Sequence, residues 1–102
     1  MSATSLADDT RHLALDGALS IYTAADTKPQ LIAALQGAIA MQIDLSRVEE
    51  FDCAGLQLLL ATQAHAQRMD ISLRFIGASA PIVELLHLSG LAGQLSIEEA
   101  CA

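Results

Sequence analysis

The chain has 102 residues, 53% of them hydrophobic and 17% charged, which excludes a disordered polymer and leaves room for one domain but not for separate catalytic and regulatory halves. Aromatic residues make up 3% (Tyr22, Phe51 and Phe75, with no Trp), so the core is aliphatic and the ring platforms that read single-stranded nucleic acid are missing. Twelve Asp and Glu against five Lys and Arg give a net charge of −7, and Arg11, Lys28, Arg47, Arg68 and Arg74 form no basic stripe, which argues against nucleic acid or an anionic bilayer as partner and for a protein surface.

Residues 1–12 read as a polar leader. Asp8 and Asp9 stand where an export signal needs a basic start and an apolar run, so a cytoplasmic protein is expected. The densest apolar stretch, Ala54 to Ala61, is interrupted by Gln57 and is far shorter than the roughly 20 residues that cross a bilayer, so no direct membrane insertion is expected. Cys53 and Cys101 form no disulfide framework, consistent with a reducing compartment.

Leu13-Ala14-Leu15, Asp16-Gly17 and Ala18 to Tyr22 read as a hairpin, because Asp-Gly between apolar runs favours a tight turn. A helix follows to about Ala40. Thr23 with Asp26 resembles a capping box, whereas Pro29 favours a start nearer Asp26, and Leu31, Ile32, Leu35 and Ile39 share one face. Met41 to Leu45 alternates as a strand, and the polar stretch Ser46 to Asp52 reads as a loop.

Asp52 is placed to cap a second helix that runs from Cys53 or Ala54 to about Met69, with Leu56, Leu59, Leu60 and Ala66 inward and Gln57, Ala61, His65 and Arg68 outward. Leu58 falls at the margin of the buried arc, where a neighbouring helix or loop is expected to cover it. Ile71 to Gly77 alternates as a strand with one wet face. Ser79 and Pro81 open a third helix that buries Ile82, Leu85 and Leu86 and ends near Ser89-Gly90, and Leu95 to Ile97 fits an edge strand. The strand from Met41, the helix from Ala54 and the strand from Ile71 make one βαβ unit with parallel strands. With the hairpin in front, the expected architecture is α/β: a mixed four- to five-stranded sheet with helices packed mainly on one face.

No metal site is expected, since His12, His65, His87, Cys53 and Cys101 lack ligand spacing. No nucleophile elbow, Walker loop or dinucleotide fingerprint occurs, so no catalytic residues and no cofactor are assigned. The remaining constellation runs from Asp44 to Leu60: strand, loop, then a helix whose first N–H groups surround Cys53. That setting suits a phosphorylatable hydroxyl, or in a cysteine favours the thiolate.

This stretch, with Asp44-Leu45-Ser46, a short loop and Asp52-Cys53-Ala54-Gly55-Leu56 before an aliphatic helix, resembles the STAS domain of anti-sigma factor antagonists and sulfate transporter tails. The entrance at Thr23-Ala24-Ala25 and the closing Leu88-Ser89-Gly90-Leu91 resemble small stand-alone bacterial members, so residues 13–102 are read as a single STAS domain. The resemblance implies a non-enzymatic module acting by partner switching. In the antagonist branch the residue after the motif Asp is phosphorylated by an anti-sigma kinase, and the phosphate abolishes binding to that kinase. Cys53 occupies that phosphoacceptor position. A thiol is not a normal substrate of a Ser/Thr kinase, which implies a chain held in the unphosphorylated, binding-competent form unless Ser46 takes over the switch.

The implied docking region comprises Ser46, Arg47, Glu49, Glu50, Asp52, Cys53, Ala54, Gly55 and Gln57. The implied partner is an anti-sigma or histidine-kinase-like ATPase in a kinase, chemotaxis or two-component pathway. The alternative is the cytoplasmic STAS subunit of a phospholipid-type ABC transporter, bound to its ATPase. Two further readings of Cys53 are a small packing residue tucked against the core and a thiol redox sensor.

Overall fold

The computed structural model describes residues 10–95 and 97–98 of the chain, so residues 1–9 of the leader and Cys101 lie outside the described residues. The elements are β1 (Thr10–Leu19), α1 (Ala24–Leu35), β2 (Ala40–Phe51), α2 (Cys53–Arg68), β3 (Ser72–Ile76), α3 (Ala80–Ser89), a 3-10 turn (Ala92–Gln94) and β4 (Ile97–Glu98). They form one sheet in the order β1-β2-β3-β4, parallel at every pairing.

The sheet is therefore parallel rather than mixed, and the expected hairpin is a single strand. A tight Asp-Gly turn needs positive φ at both central residues. Only Gly17 (φ +73°) has it; Asp16 does not, and β1 continues to Leu19. Gly17 lies instead where the β1–β2 register slips. Ala14 pairs with Asp44 but Asp16 with Arg47, and Gly17 with Val48 but Ala18 with Glu50, so β2 carries two extra residues as bulges.

Those bulges explain why Ser46 to Asp52 reads as a loop. β3 accompanies β2 only as far as the Asp44–Ile76 pair, and beyond it β1 is the remaining partner, so Ser46, Arg47, Glu49 and Glu50 are exposed. Leu45 and Val48 stay buried three residues apart, which hides the period of two that marks a strand.

The core is aliphatic except for Phe75, which is fully buried among Leu19, Leu31, Leu35, Met41, Ile43, Leu45, Leu56, Leu59 and Ile82. Helix α2 packs on β1, β2 and β3 and against α1, and α3 packs on β2. The opposite sheet face carries Thr10, His12, Gln42, Ser72 and Arg74 in register, a polar and partly solvated surface.

Helix α1 starts at Ala24, earlier than Pro29 suggests, so the proline lies inside the helix and the Ala25 carbonyl loses its donor. Thr23 precedes the helix without a side-chain cap, and Gly37 (φ +76°) follows its end. Ile39 has left the helix and is 66% exposed rather than on its buried face. Arg11 secures that end by donating to the Ala34 and Gln36 carbonyls at 3.0 and 2.9 Å. Leu58 is buried where α1 lies against α2. Ser79 opens α3 through its backbone carbonyl alone, its hydroxyl making no hydrogen bond, and Gly90 (φ +74°) closes it.

Candidate functional site

Parallel strands bring the starts of α1 and α2 to the same end of the sheet, and Asp52 ties them together. Its backbone is extended, its Oδ1 accepts from the Gly55 N–H at 3.1 Å as the N-cap of α2, and its Oδ2 accepts from the Ile21 N–H at 3.1 Å in the β1–α1 turn. The Asp52 N–H in turn donates to the Leu19 carbonyl at 3.3 Å. The N–H of Ile21, then that of Gly55, holds the Asp52 carboxyl below its usual value. The sequence-level role of Asp52 as N-cap is thus present, with a second task in bracing the turn.

Gly55 is buried against this turn. A Cβ at position 55 would overlap the Leu19 carbonyl oxygen and sit 3.0 Å from both the Leu19 carbonyl carbon and the Phe51 Cδ1. Position 55 therefore sets how closely α2 approaches β1. It is a buried packing residue beneath the implied docking region.

Cys53 is the first residue of α2 and is an exposed free thiol, which removes the reading of a side chain tucked against the core. Gln57 is exposed and Ala54 half-buried. With Ala24, Ala25, Lys28, Leu58 and Ala61 they line a groove of ≈ 360 Å³ between the two helices.

The rest of the implied docking region is spread along β2. Ser46 donates its N–H to the Asp44 Oδ1 at 2.9 Å, and this bond, followed by one from the Ser46 side chain, lowers the Asp44 carboxyl. The Ser46 Cβ lies beside Gly77 in the β3–α3 connection, roughly 15 Å along the strand from Phe51 at the usual rise per residue. Ser46 and Arg47 thus belong to a neighbouring patch, whereas Glu49 and Glu50 lead into Asp52.

Two exposed residues escaped the sequence reading, which placed them in a strand. Ile21 and Tyr22 are 69% and 89% exposed in a turn closed by Ser20 and Thr23. Thr23 Oγ1 donates to the Ala18 carbonyl (2.8 Å) and accepts from the Ser20 N–H (3.0 Å), while the Tyr22 N–H donates to Ser20 Oγ (3.2 Å). The signal available was the pair of hydroxyl residues three apart, which favours a side-chain-locked turn over an extended strand. Among the described residues no three His, Cys, Asp or Glu side chains gather as a metal site, and no helix is long and apolar enough to cross a membrane.

The fold and this helix start define a small parallel α/β domain built around a strand, a capping aspartate and an exposed first helical residue. The chain belongs to the STAS domain family: the family described as "Mlab, STAS domain" matches residues 2–98. No curated protein sequence gives a significant match.

Among solved structures the chain is similar to the anti-sigma factor antagonist SpoIIAA in its unphosphorylated form, with TM-score 0.69 and 18% identity over 89% of this chain and 81% of that one. It is similar to a sulfate transporter family protein from Wolinella succinogenes, with TM-score 0.71 and 17% identity over 87% and 75% of the two chains. It is also similar to the Bacillus cell fate determinant SpoIIAA in its phosphorylated form, with TM-score 0.66 and 19% identity over 91% and 84%. At these identities the likeness is one of fold.

Proposed function

We propose that the chain is a non-enzymatic docking module that binds a protein ATPase through the start of α2 and the adjoining β1–α1 turn, and that it is held in the binding-competent state. The observation that carries this reading is Cys53. It is exposed at the first position of a helix whose cap, Asp52, is already satisfied by two backbone N–H groups, so the side chain is presented outward on a rigid support. A phosphate there would bring roughly −1.5 to −2 charges onto that surface, and a thiol does not accept it from a Ser/Thr kinase. Similarity to an antagonist known in both unphosphorylated and phosphorylated forms supports a phosphorylation switch in this fold; the resemblance of Asp52-Cys53-Ala54-Gly55 to the family motif puts the acceptor at position 53, where a thiol replaces the hydroxyl.

The leading partner is an anti-sigma or histidine-kinase-like ATPase in bacterial signalling, with the chain in the cytoplasm. Similarity to a sulfate transporter family protein supports a transporter setting for this fold, and the second reading is a cytoplasmic subunit docked on the ATPase of a phospholipid-type ABC transporter. Capture of the partner by the wild-type chain, Cys53→Ser and Cys53→Asp tests both. With ATP withheld, Cys53→Ser is expected to capture as well as wild type and Cys53→Asp to lose capture while remaining folded, since an acid in the first turn favours the helix. Equal capture by Cys53→Asp contradicts the proposal, and the identity of the captured ATPase decides between kinase-like and transporter partners.

A further inference from the structure

The geometry points to Tyr22 as the aromatic anchor of this docking surface, fitting a partner that offers an apolar pocket rimmed by Lys or Arg; the inference rests on the docking reading above and names its partner's chemistry. Tyr22 is 89% exposed although the chain has three aromatic residues in all, and the neighbouring Ile21 is 69% exposed. A lone exposed apolar residue is ordinary, but here two adjoin on a turn that is fixed rather than loose.

Besides the side-chain bonds of Ser20 and Thr23, the Thr23 and Ala24 N–H groups both donate to the Ser20 carbonyl at 3.0 and 2.8 Å, and Asp52 grips the Ile21 N–H. A flat, amphipathic side chain with two rotatable bonds on a fixed backbone loses little entropy on binding, which is one reason Tyr is enriched among residues that dominate interface energy. The groove between α1 and α2 is lined from Ala24, two residues after Tyr22 in the chain, by Ala25, Ala54 and Ala61 as well, and gives a flanking apolar segment somewhere to lie.

The charge around the anchor sets the partner's rim. Asp26 in the first turn of α1 and Glu49 and Glu50 at the end of β2 are exposed. Of the cations at this end, Lys28 lines the groove and Arg47 lies further along β2 in register with Asp16. Arg11 and Arg68 stand at the other end of the molecule, at the start of β1 and the end of α2. An acidic rim about an apolar centre is complemented by a basic rim about an apolar pocket, and it steers such a partner in.

The test places a photo-crosslinking phenylalanine at position 22, with position 88 as a control because Leu88 is 82% exposed on α3. Both are expressed in the chain's native cells, and the protein joined to position 22 is identified and purified. Its affinity is then measured for wild type, Tyr22→Phe, Tyr22→Ala, Glu49→Lys with Glu50→Lys, and Cys53→Asp.

Expected are an adduct at position 22 and not at 88, affinity within about threefold for Tyr22→Phe, and at least about thirtyfold weaker binding for Tyr22→Ala. The charge reversal slows association and weakens its dependence on salt. An adduct with a second copy of this chain, an adduct only at position 88, or no adduct at 22 overturns the inference. Undiminished binding by Tyr22→Ala together with loss by Cys53→Asp removes the anchor but leaves the docking reading, whereas undiminished binding by both variants removes the docking reading as well.

Discussion

Replacing Gly55 by alanine is the sharpest probe of how this site is built. The added Cβ overlaps the Leu19 carbonyl oxygen, a backbone atom that cannot rotate away, and presses on Phe51. Restoring ordinary contact requires α2 and the end of β1 to separate by about 1 Å. That movement strains the 3.3 Å bond from the Asp52 N–H to the Leu19 carbonyl and the paired bonds of the Asp52 carboxylate to Ile21 and Gly55.

Overpacking of this kind costs about 1–3 kcal/mol, and each weakened hydrogen bond about 0.5–1.5 kcal/mol. The better helix propensity of alanine returns about 1 kcal/mol at most, so with the equivalent of one or two of these bonds lost the net is near 2–3 kcal/mol. For a domain of this size that lowers Tm by about 10–20 °C. Urea unfolding with a matched m-value is the assay, and Gly93→Ala is the control. Position 93 has open space around it and no positive φ, so its alanine variant stays within about 0.5 kcal/mol of wild type. A Gly55→Ala protein as stable as wild type refutes the close approach of α2 to β1.

Asp52→Asn loses the charge and keeps only one of the two acceptor oxygens, so either the Ile21 or the Gly55 N–H faces an amide NH2. Because the Asp52 and Asp44 carboxyls both titrate below the usual carboxylate value, the stability they contribute is complete above that value and is lost as pH falls from it through their lowered folded-state values; Asp52→Asn is therefore less stable at pH 7 and flatter in acid, measured by thermal melts from pH 7 to pH 2. Arg11→Met keeps the aliphatic stem but loses both bonds to the end of α1, at a cost of about 1 kcal/mol in urea unfolding. Tyr22 is the chain's one tyrosine and there is no Trp, so its emission reports that side chain alone; iodide is expected to quench it nearly as well as free tyrosine amide, and protection would contradict its exposed position.

The parts of this structure that were legible in the sequence are those set by regular periods. Helix α2, from its Asp52 cap to Met69, and the burial of Leu56, Leu59 and Ala66 follow from spacing, and the β2-α2-β3 unit follows from order. Two of the failures, in β1 and β2, share one physical cause: local signals that strand pairing reused. Asp16-Gly17 carries real turn chemistry, but a parallel neighbour with two bulges absorbs it within a strand. The same bulges scramble the alternation of Leu45, Val48 and Phe51, so an extended segment reads as a loop. Helix α1 stops at Leu35 with Gly37 beyond it, a signal that the apolar spacing of Ile39 obscured.

Within the candidate site, Asp52 and Cys53 were legible from residue type and position. Gly55 was not, because its role depends on a carbonyl thirty-six residues away in β1. That distance also disqualifies Gly55 as a surface probe: a large side chain there disturbs the fold before it meets any partner.

Docking through the start of α2 is tested by amide chemical shifts of the labelled chain, followed as the captured and purified partner, proposed to be an ATPase, is added. Perturbations are expected to concentrate at Ser20 to Thr23 and Phe51 to Gln57, the turn and helix start joined by Asp52, and to spare Ile39 and Met69 at the far end of the sheet. Perturbations centred on Ile39, Met69 or the outer face of α3, with Cys53 and Tyr22 unchanged, would contradict it.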